Sequence, residues 1–111
     1  MEIVSSDKIC IFTPLSSKLD KRQTSRLLDK IINDTRMLAI NLDCVEDCTI
    51  DFIEGLKNLT RQKDVGIFNI NSDVFAMFNL MGLDKCAKLY ISEDDFVTDS
   101  RQLIKRDFVL V

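Results

Sequence analysis

Any chemistry in this chain would fall to thiols and carboxylates, because the sequence holds four cysteines and no histidine. Cys48 stands where a helix is expected to begin, a position that lowers a thiol pKa and frees the thiolate for redox chemistry. Asp43, Glu46, Asp47 and Asp51 lie around it in sequence and disfavour a further negative charge. A thiol-based redox protein using Cys48 is thus one reading. The other, for Cys48 as for Cys10, Cys44 and Cys86, is a small buried hydrophobe. Cys44 and Cys48, four apart with no histidine to complete the set, make a poor zinc site, and no metal is expected. A Ser-His or Cys-His pair is impossible without the base. The three glycines are isolated, so there is no phosphate-cradling loop. Glu93, Asp94 and Asp95 read as a helix cap and solvated surface. No catalytic residue and no cofactor are expected.

The elements that would hold these groups follow from periodicity. Met37 to Leu42 is a short apolar run that reads as a buried strand. From about Cys48 to Gln62 the apolar spacing becomes helical, with Ile50, Ile53, Leu56 and Leu59 as the stripe, Phe52 beside them and Asp47 placed as the cap. The turn between them, Asp43 to Asp47, lies at the carboxyl end of a strand, where open α/β sheets most often meet ligands and partners. Before it, Ile3-Val4 is a possible edge strand and Ile9 to Thr13 a better one, closed by Pro14. Ser16 or Ser17 caps a helix with Leu19, Leu27, Leu28, Ile31 and Ile32 as its stripe, ended at Asn33-Asp34.

After it, Val65 to Ile70 is a central strand, and Asn71-Ser72-Asp73 supplies a turn and cap. The next helix carries Val74, Met77, Phe78 and Met81, and stops at Gly82. Leu89 to Ile91 is a short strand. Ser92 with Asp95 resembles a capping box opening a last helix with Phe96, Val97, Leu103 and Ile104. The apolar tail, Phe108 to Val111, would dock as an edge strand. Strands alternating with helices predict an α/β fold with a largely parallel sheet and right-handed crossovers.

Length and composition set the frame. The 111 residues suffice for one domain with a single core, and 46% hydrophobic with 30% charged residues is ordinary for a globular protein. A net charge of −3 and a pI near 4.9 argue against nucleic acid. No apolar run approaches the ~20 residues of a membrane span, and MEIVSSDK is not a signal peptide. The cysteines lack the density of a secreted disulfide scaffold. A cytoplasmic protein with reduced thiols is expected, without direct membrane insertion.

The stretch Val65 to Ser92, VGIFNINSDVFAMFNLMGLDKCAKLYIS, resembles the STAS domain, the module of anti-sigma factor antagonists and of sulfate transporter tails. Val74, Met77, Phe78, Leu80, Gly82 and Leu83 fall at matching offsets, Asn41-Leu42-Asp43 resembles the end of the family's L-D-L strand, and Ile9 to Pro14 the strand before its first helix. The resemblance covers about Ile9 to Asp99. It implies a single STAS-like domain over 1–111, with its core at about 9–99 and a tail at 105–111. The implied sheet has four to five strands, mostly parallel or mixed, with about four helices packed mainly on one face.

The family's Asp-Ser-Ser-Gly signature at the start of the central helix, with its phosphorylated serine, is missing. Aligned without gaps, Asp51 and Phe52 take the aspartate and serine places. With a shorter loop, Asp47-Cys48-Thr49-Ile50 replaces the tetrad, which keeps Asp47 as the cap and is preferred. Neither alignment supplies a serine. Thr49 is the one nearby hydroxyl that could substitute as a phosphoacceptor; otherwise its hydroxyl bonds locally.

The resemblance therefore implies a protein–protein interaction module, anti-sigma factor antagonist-like, not an enzyme, and without the regulatory phosphoserine. Its partner would be an ATP-binding anti-sigma factor or switch kinase. The expected contact residues are Thr13, Pro14, Asp43, Cys44, Glu46, Asp47, Cys48, Thr49, Phe52 and Ile53. Phe52 or Ile53 is a candidate anchor if exposed; otherwise both complete the core stripe. The chain is expected to be a monomer or weak homodimer. An accessory subunit of a lipid-transport ATPase is the alternative that keeps the fold.

Overall fold

Alternation along the strands divides the apolar side chains between two faces of one sheet. The computed structural model describes residues 1–99. Five strands form this sheet: β1 (Glu2–Ser5), β2 (Ile9–Thr13), β4 (Met37–Asn41), β6 (Val65–Phe68) and β7 (Lys88–Leu89), in the order β1-β2-β4-β6-β7. β1 pairs antiparallel with β2, and the other pairings are parallel. The sheet is thus mixed and mostly parallel, as expected. Its helices are α1 (Lys21–Ile32), α2 (Ile50–Thr60), α3 (Ser72–Leu80) and α4, described over 93–99.

Cys10, Phe12, Leu38, Ile40, Val65 and Ile67 point to one face and pack with Leu27 and Ile31 of α1, Phe52, Ile53 and Leu56 of α2, and Val74 and Phe78 of α3. Ile11, Ala39 and Phe68 point to the other face, where Phe96 of α4 covers them. Phe96 stacks on Phe68 at 6.0 Å between centroids and meets the edge of Tyr90 at 5.7 Å. Gly66 makes room for this: a Cβ there would come within 2.7 Å of the Phe96 ring and 2.9 Å of Tyr90. The Tyr90 hydroxyl donates to Asp99 and so ties α4 to the sheet.

Several boundaries differ from expectation. α1 is capped by Asp20, not Ser16 or Ser17, in a capping box with Gln23. The reason is a second small sheet: β3 (Lys18–Leu19) pairs parallel with β5 (Asp47–Cys48), which keeps Leu19 extended and delays the helix. The same pairing delays α2, whose N-cap is Thr49. Asp47 is in extended chain, and its carboxylate accepts from the Cys48 amide at 2.9 Å. β6 stops at Phe68 because Asn69 turns to a positive φ of 56°. Gly82, at φ 76°, follows α3 and its cap, as expected. β7 starts one residue earlier than predicted and ends at Leu89. The Ser92 hydroxyl accepts from the Asp95 amide at 3.4 Å in the first turn of α4. Leu103, Ile104, the 105–111 tail and the edge strand expected at Phe108 to Val111 lie outside the described residues.

Candidate functional site

The segment joining β4 to α2 has no regular structure except β5, yet its backbone is fastened on two sides. On one side, the amides of Glu46 and Asp47 donate to the Ser17 carbonyl at 2.7 and 3.0 Å, and the Thr49 amide donates to Leu19 at 3.0 Å. On the other, Asn71 Nδ2 donates to the carbonyls of Val45 and Glu46 at 3.1 and 3.0 Å. The Oδ1 of the same side chain accepts from the Val74 amide at 2.8 Å and caps α3. Below the turn, Asn41 Oδ1 accepts from the Asp43 amide and from Asn69 Nδ2, each at 3.0 Å. Leu42 and Val45 are buried and plug the loop into the core. These bonds satisfy backbone groups that a loop would otherwise leave to water. They also preorganise the loop, which lowers the ordering cost of binding.

The contact residues expected from sequence divide into two groups. Asp43, Cys44, Glu46 and Asp47 are exposed, and Thr49 is half-buried at the start of α2. Thr13 and Pro14 are buried at the end of β2, beneath this surface. Cys48, Phe52 and Ile53 are also buried, so burial removes all five from the contact surface. Phe52 faces Phe78 with ring centroids 6.4 Å apart, and Ile53 belongs to the same cluster. The exposed apolar residue at this site is instead Ile50, the first residue of α2, with 58% of its surface accessible. Asp51 and Glu54 are exposed beside it, so the surface is apolar at one point and otherwise acidic.

Ile50 was legible in principle. At about 100° per residue, its direction falls outside the arc of Phe52, Ile53, Leu56 and Leu59, although its spacing from Ile53 alone suits a stripe.

The remaining chemistry is quiet. Burial pushes the Cys48 thiol up to about 11, with Asp47 adding to the effect, so the thiol is protonated at neutral pH and inert as a nucleophile. Cys10 is buried too and its pKa is raised, chiefly by that burial. Cys44 and Cys86 are exposed, contrary to the buried role expected of them. The Thr49 hydroxyl donates to the Leu19 carbonyl at 3.2 Å and makes no capping bond to α2. Among the described residues no helix is long and apolar enough to cross a membrane.

No family model and no curated protein matches the chain. Among solved structures, it is similar to the crystal structure of a candidate anti-sigma factor antagonist from Thermotoga maritima. The TM-score is 0.79 at 15% identity, over 90% of this chain and 93% of that one. It is also similar to an NMR structure of the same Thermotoga protein, with a TM-score of 0.74 at 16% identity, over 89% and 86% of the two chains. Identity this low fixes the fold and nothing finer. The chain has a STAS-like fold, in agreement with the resemblance carried by Val65 to Ser92.

Proposed function

We propose that this STAS-like domain is a protein–protein interaction module, anti-sigma factor antagonist-like rather than enzymatic, that docks through the loop after β4 and the first turn of α2. The observation that carries the reading is the exposed Ile50 on a loop held from two sides by Ser17 and Asn71, within a ring of carboxylates. An apolar anchor with a charged surround is a common interface plan, in which the anchor supplies affinity and the charges supply steering. The similarity to the Thermotoga protein supports an ATP-binding anti-sigma factor or switch kinase as the partner.

No serine stands at the start of α2, and the Thr49 hydroxyl is engaged with Leu19. The module accordingly works without a serine phosphorylation switch, being either always competent or a scaffold for partners that carry the switch.

Capture from native lysate, followed by mass spectrometry, tests the proposal. The wild-type chain is expected to retain an ATP-binding regulator, and Ile50→Asp to weaken that binding by about 2 kcal/mol, roughly thirtyfold. An aspartate at the first helical position suits the helix dipole, so the variant should fold. Undiminished capture by Ile50→Asp would refute the assigned face. Recovery of a lipid-transport ATPase subunit would move the module to the other system. Stoichiometric phosphate anywhere from Asp43 to Gly55, after incubation with the recovered kinase and ATP, would overturn the unswitched reading.

A further inference from the structure

A second surface lies at the far edge of the sheet, away from Ile50. Between α3 and β7 runs an open groove of about 490 Å³, lined chiefly by Ile70, Phe75, Asn79, Asp84, Leu89 and Ile91. Ile91 has 87% of its surface accessible and Phe75 41%. Apolar exposure of this size in one place, rimmed by polar groups, is a feature of docking surfaces.

Two further observations specify the occupant. First, β7 is the last strand of the sheet among the described residues. The Tyr90 amide donates inward to Ile67 at 2.8 Å, so in a parallel ladder Leu89 and Ile91 turn their N–H and C=O groups to the open side. Leu89 shares the face of its partner Ile67, and Ile91, two residues on, follows the same alternation into the groove. Backbone and side chains of the same residues are thus offered together, as an added strand requires. Second, the charge is one-sided. The ionisable side chain lining the groove is a carboxylate, Asp84, with Tyr90 alongside. Exposed Glu93, Asp94 and Asp95 follow directly after Ile91. Lys88 is turned to the opposite face, where it borders Tyr90 and Phe96.

We infer that the β7 edge is a second docking site, which takes an extended segment of another protein with alternating apolar and basic residues. The apolar side chains enter the groove between α3 and β7, the backbone pairs with Leu89 and Ile91, and the basic residues meet Asp84 and the carboxylates after Ile91. With the Ile50 surface this would make the domain a two-sided adaptor, but the inference does not depend on that surface.

The test uses the whole chain and a fluorescent peptide of alternating valine and lysine, followed by anisotropy. Binding is expected, weakening as salt rises, with the amides of Leu89 and Ile91 gaining protection from hydrogen exchange. Ile91→Lys and Phe75→Lys are each expected to weaken it about tenfold or more, while Ile50→Asp leaves it unchanged. Both lysine variants change exposed side chains, and circular dichroism verifies that they fold. The inference is overturned if the peptide does not bind, if a valine–glutamate peptide binds equally, or if neither lysine variant weakens binding. It is also overturned if the peptide binds as a helix without protecting the β7 amides. Sedimentation that finds a dimer abolished by Ile91→Lys would assign the edge to a second copy of the chain and overturn it too. Because Ile91→Lys leaves the Ile50 surface intact, lysate capture with this variant separates failure here from failure of the first docking face.

Discussion

Asn71 joins the α2-side loop to α3, and replacing it separates its two roles. Asn71→Ala removes three hydrogen bonds at once: the cap to Val74 and the two donations to Val45 and Glu46. A cap contributes about 1 kcal/mol and each donation about 0.5–1.5 kcal/mol, so the variant should lose about 2–4 kcal/mol of stability. Asn71→Asp keeps an acceptor for the cap, in a place where the helix dipole favours it. It loses both donations and sets a carboxylate against two carbonyl oxygens, for an expected loss of about 1–3 kcal/mol. Urea unfolding gives the totals, and amide hydrogen exchange assigns them. In Asn71→Asp, exchange should rise at Glu46, Asp47 and Thr49 while the first turn of α3 stays protected. In Asn71→Ala both regions should loosen. If the aspartate variant instead frees α3 and leaves the loop protected, or matches the wild type within ~0.5 kcal/mol, the account of the loop as fastened from this side is wrong.

Two other outcomes follow from the titratable groups. A thiol reagent under native conditions should label Cys44 and Cys86 quickly and spare Cys10 and Cys48 until urea unfolds the chain, since the first two are exposed and the others buried; rapid labelling of Cys48 would revive the redox reading. Hydrogen bonds from the Arg36 guanidinium, with a further one from its amide, hold the Asp34 carboxyl well below the usual carboxylate range. A depressed folded value means that this contribution is complete above the unfolded value of ~3.9 and is lost as pH falls below it. Asp34→Asn should therefore lower the urea midpoint at neutral pH, and the gap from the wild type should close towards pH ~2. An unchanged gap would show that the pairing contributes through shape rather than charge.

Most of the sheet was readable because its strands are short apolar runs between turn residues, and periodicity alone marks those. The two-residue strands β3 and β5 were not. Two residues carry no period, and these form only because the Ser17 carbonyl and the chain after Leu42 meet in three dimensions. That one contact accounts for the misplaced caps of both α1 and α2. Cys44 and Cys86 were misjudged for a different reason: cysteine's average burial says nothing about a residue in a tight turn.

The contact between β3 and β5 also bears on how the site can be controlled. It holds Thr49 by both its amide and its hydroxyl, to a single acceptor on Leu19. A phosphate on that hydroxyl would first have to break the side-chain bond, then place about −1.5 to −2 charges between Asp47 and Asp51, against a small offset from the helix dipole. A switch built at this place would work by loosening the small sheet and, with it, the start of α2. The surface itself is already negative before any modification, with Asp43, Glu46, Asp47, Asp51 and Glu54 exposed. Adding charge to such a surface changes its sign nowhere. A partner that reads it must do so through Ile50 and the fixed path of the backbone, both set by packing and hydrogen bonds rather than by a titrating or phosphorylated group.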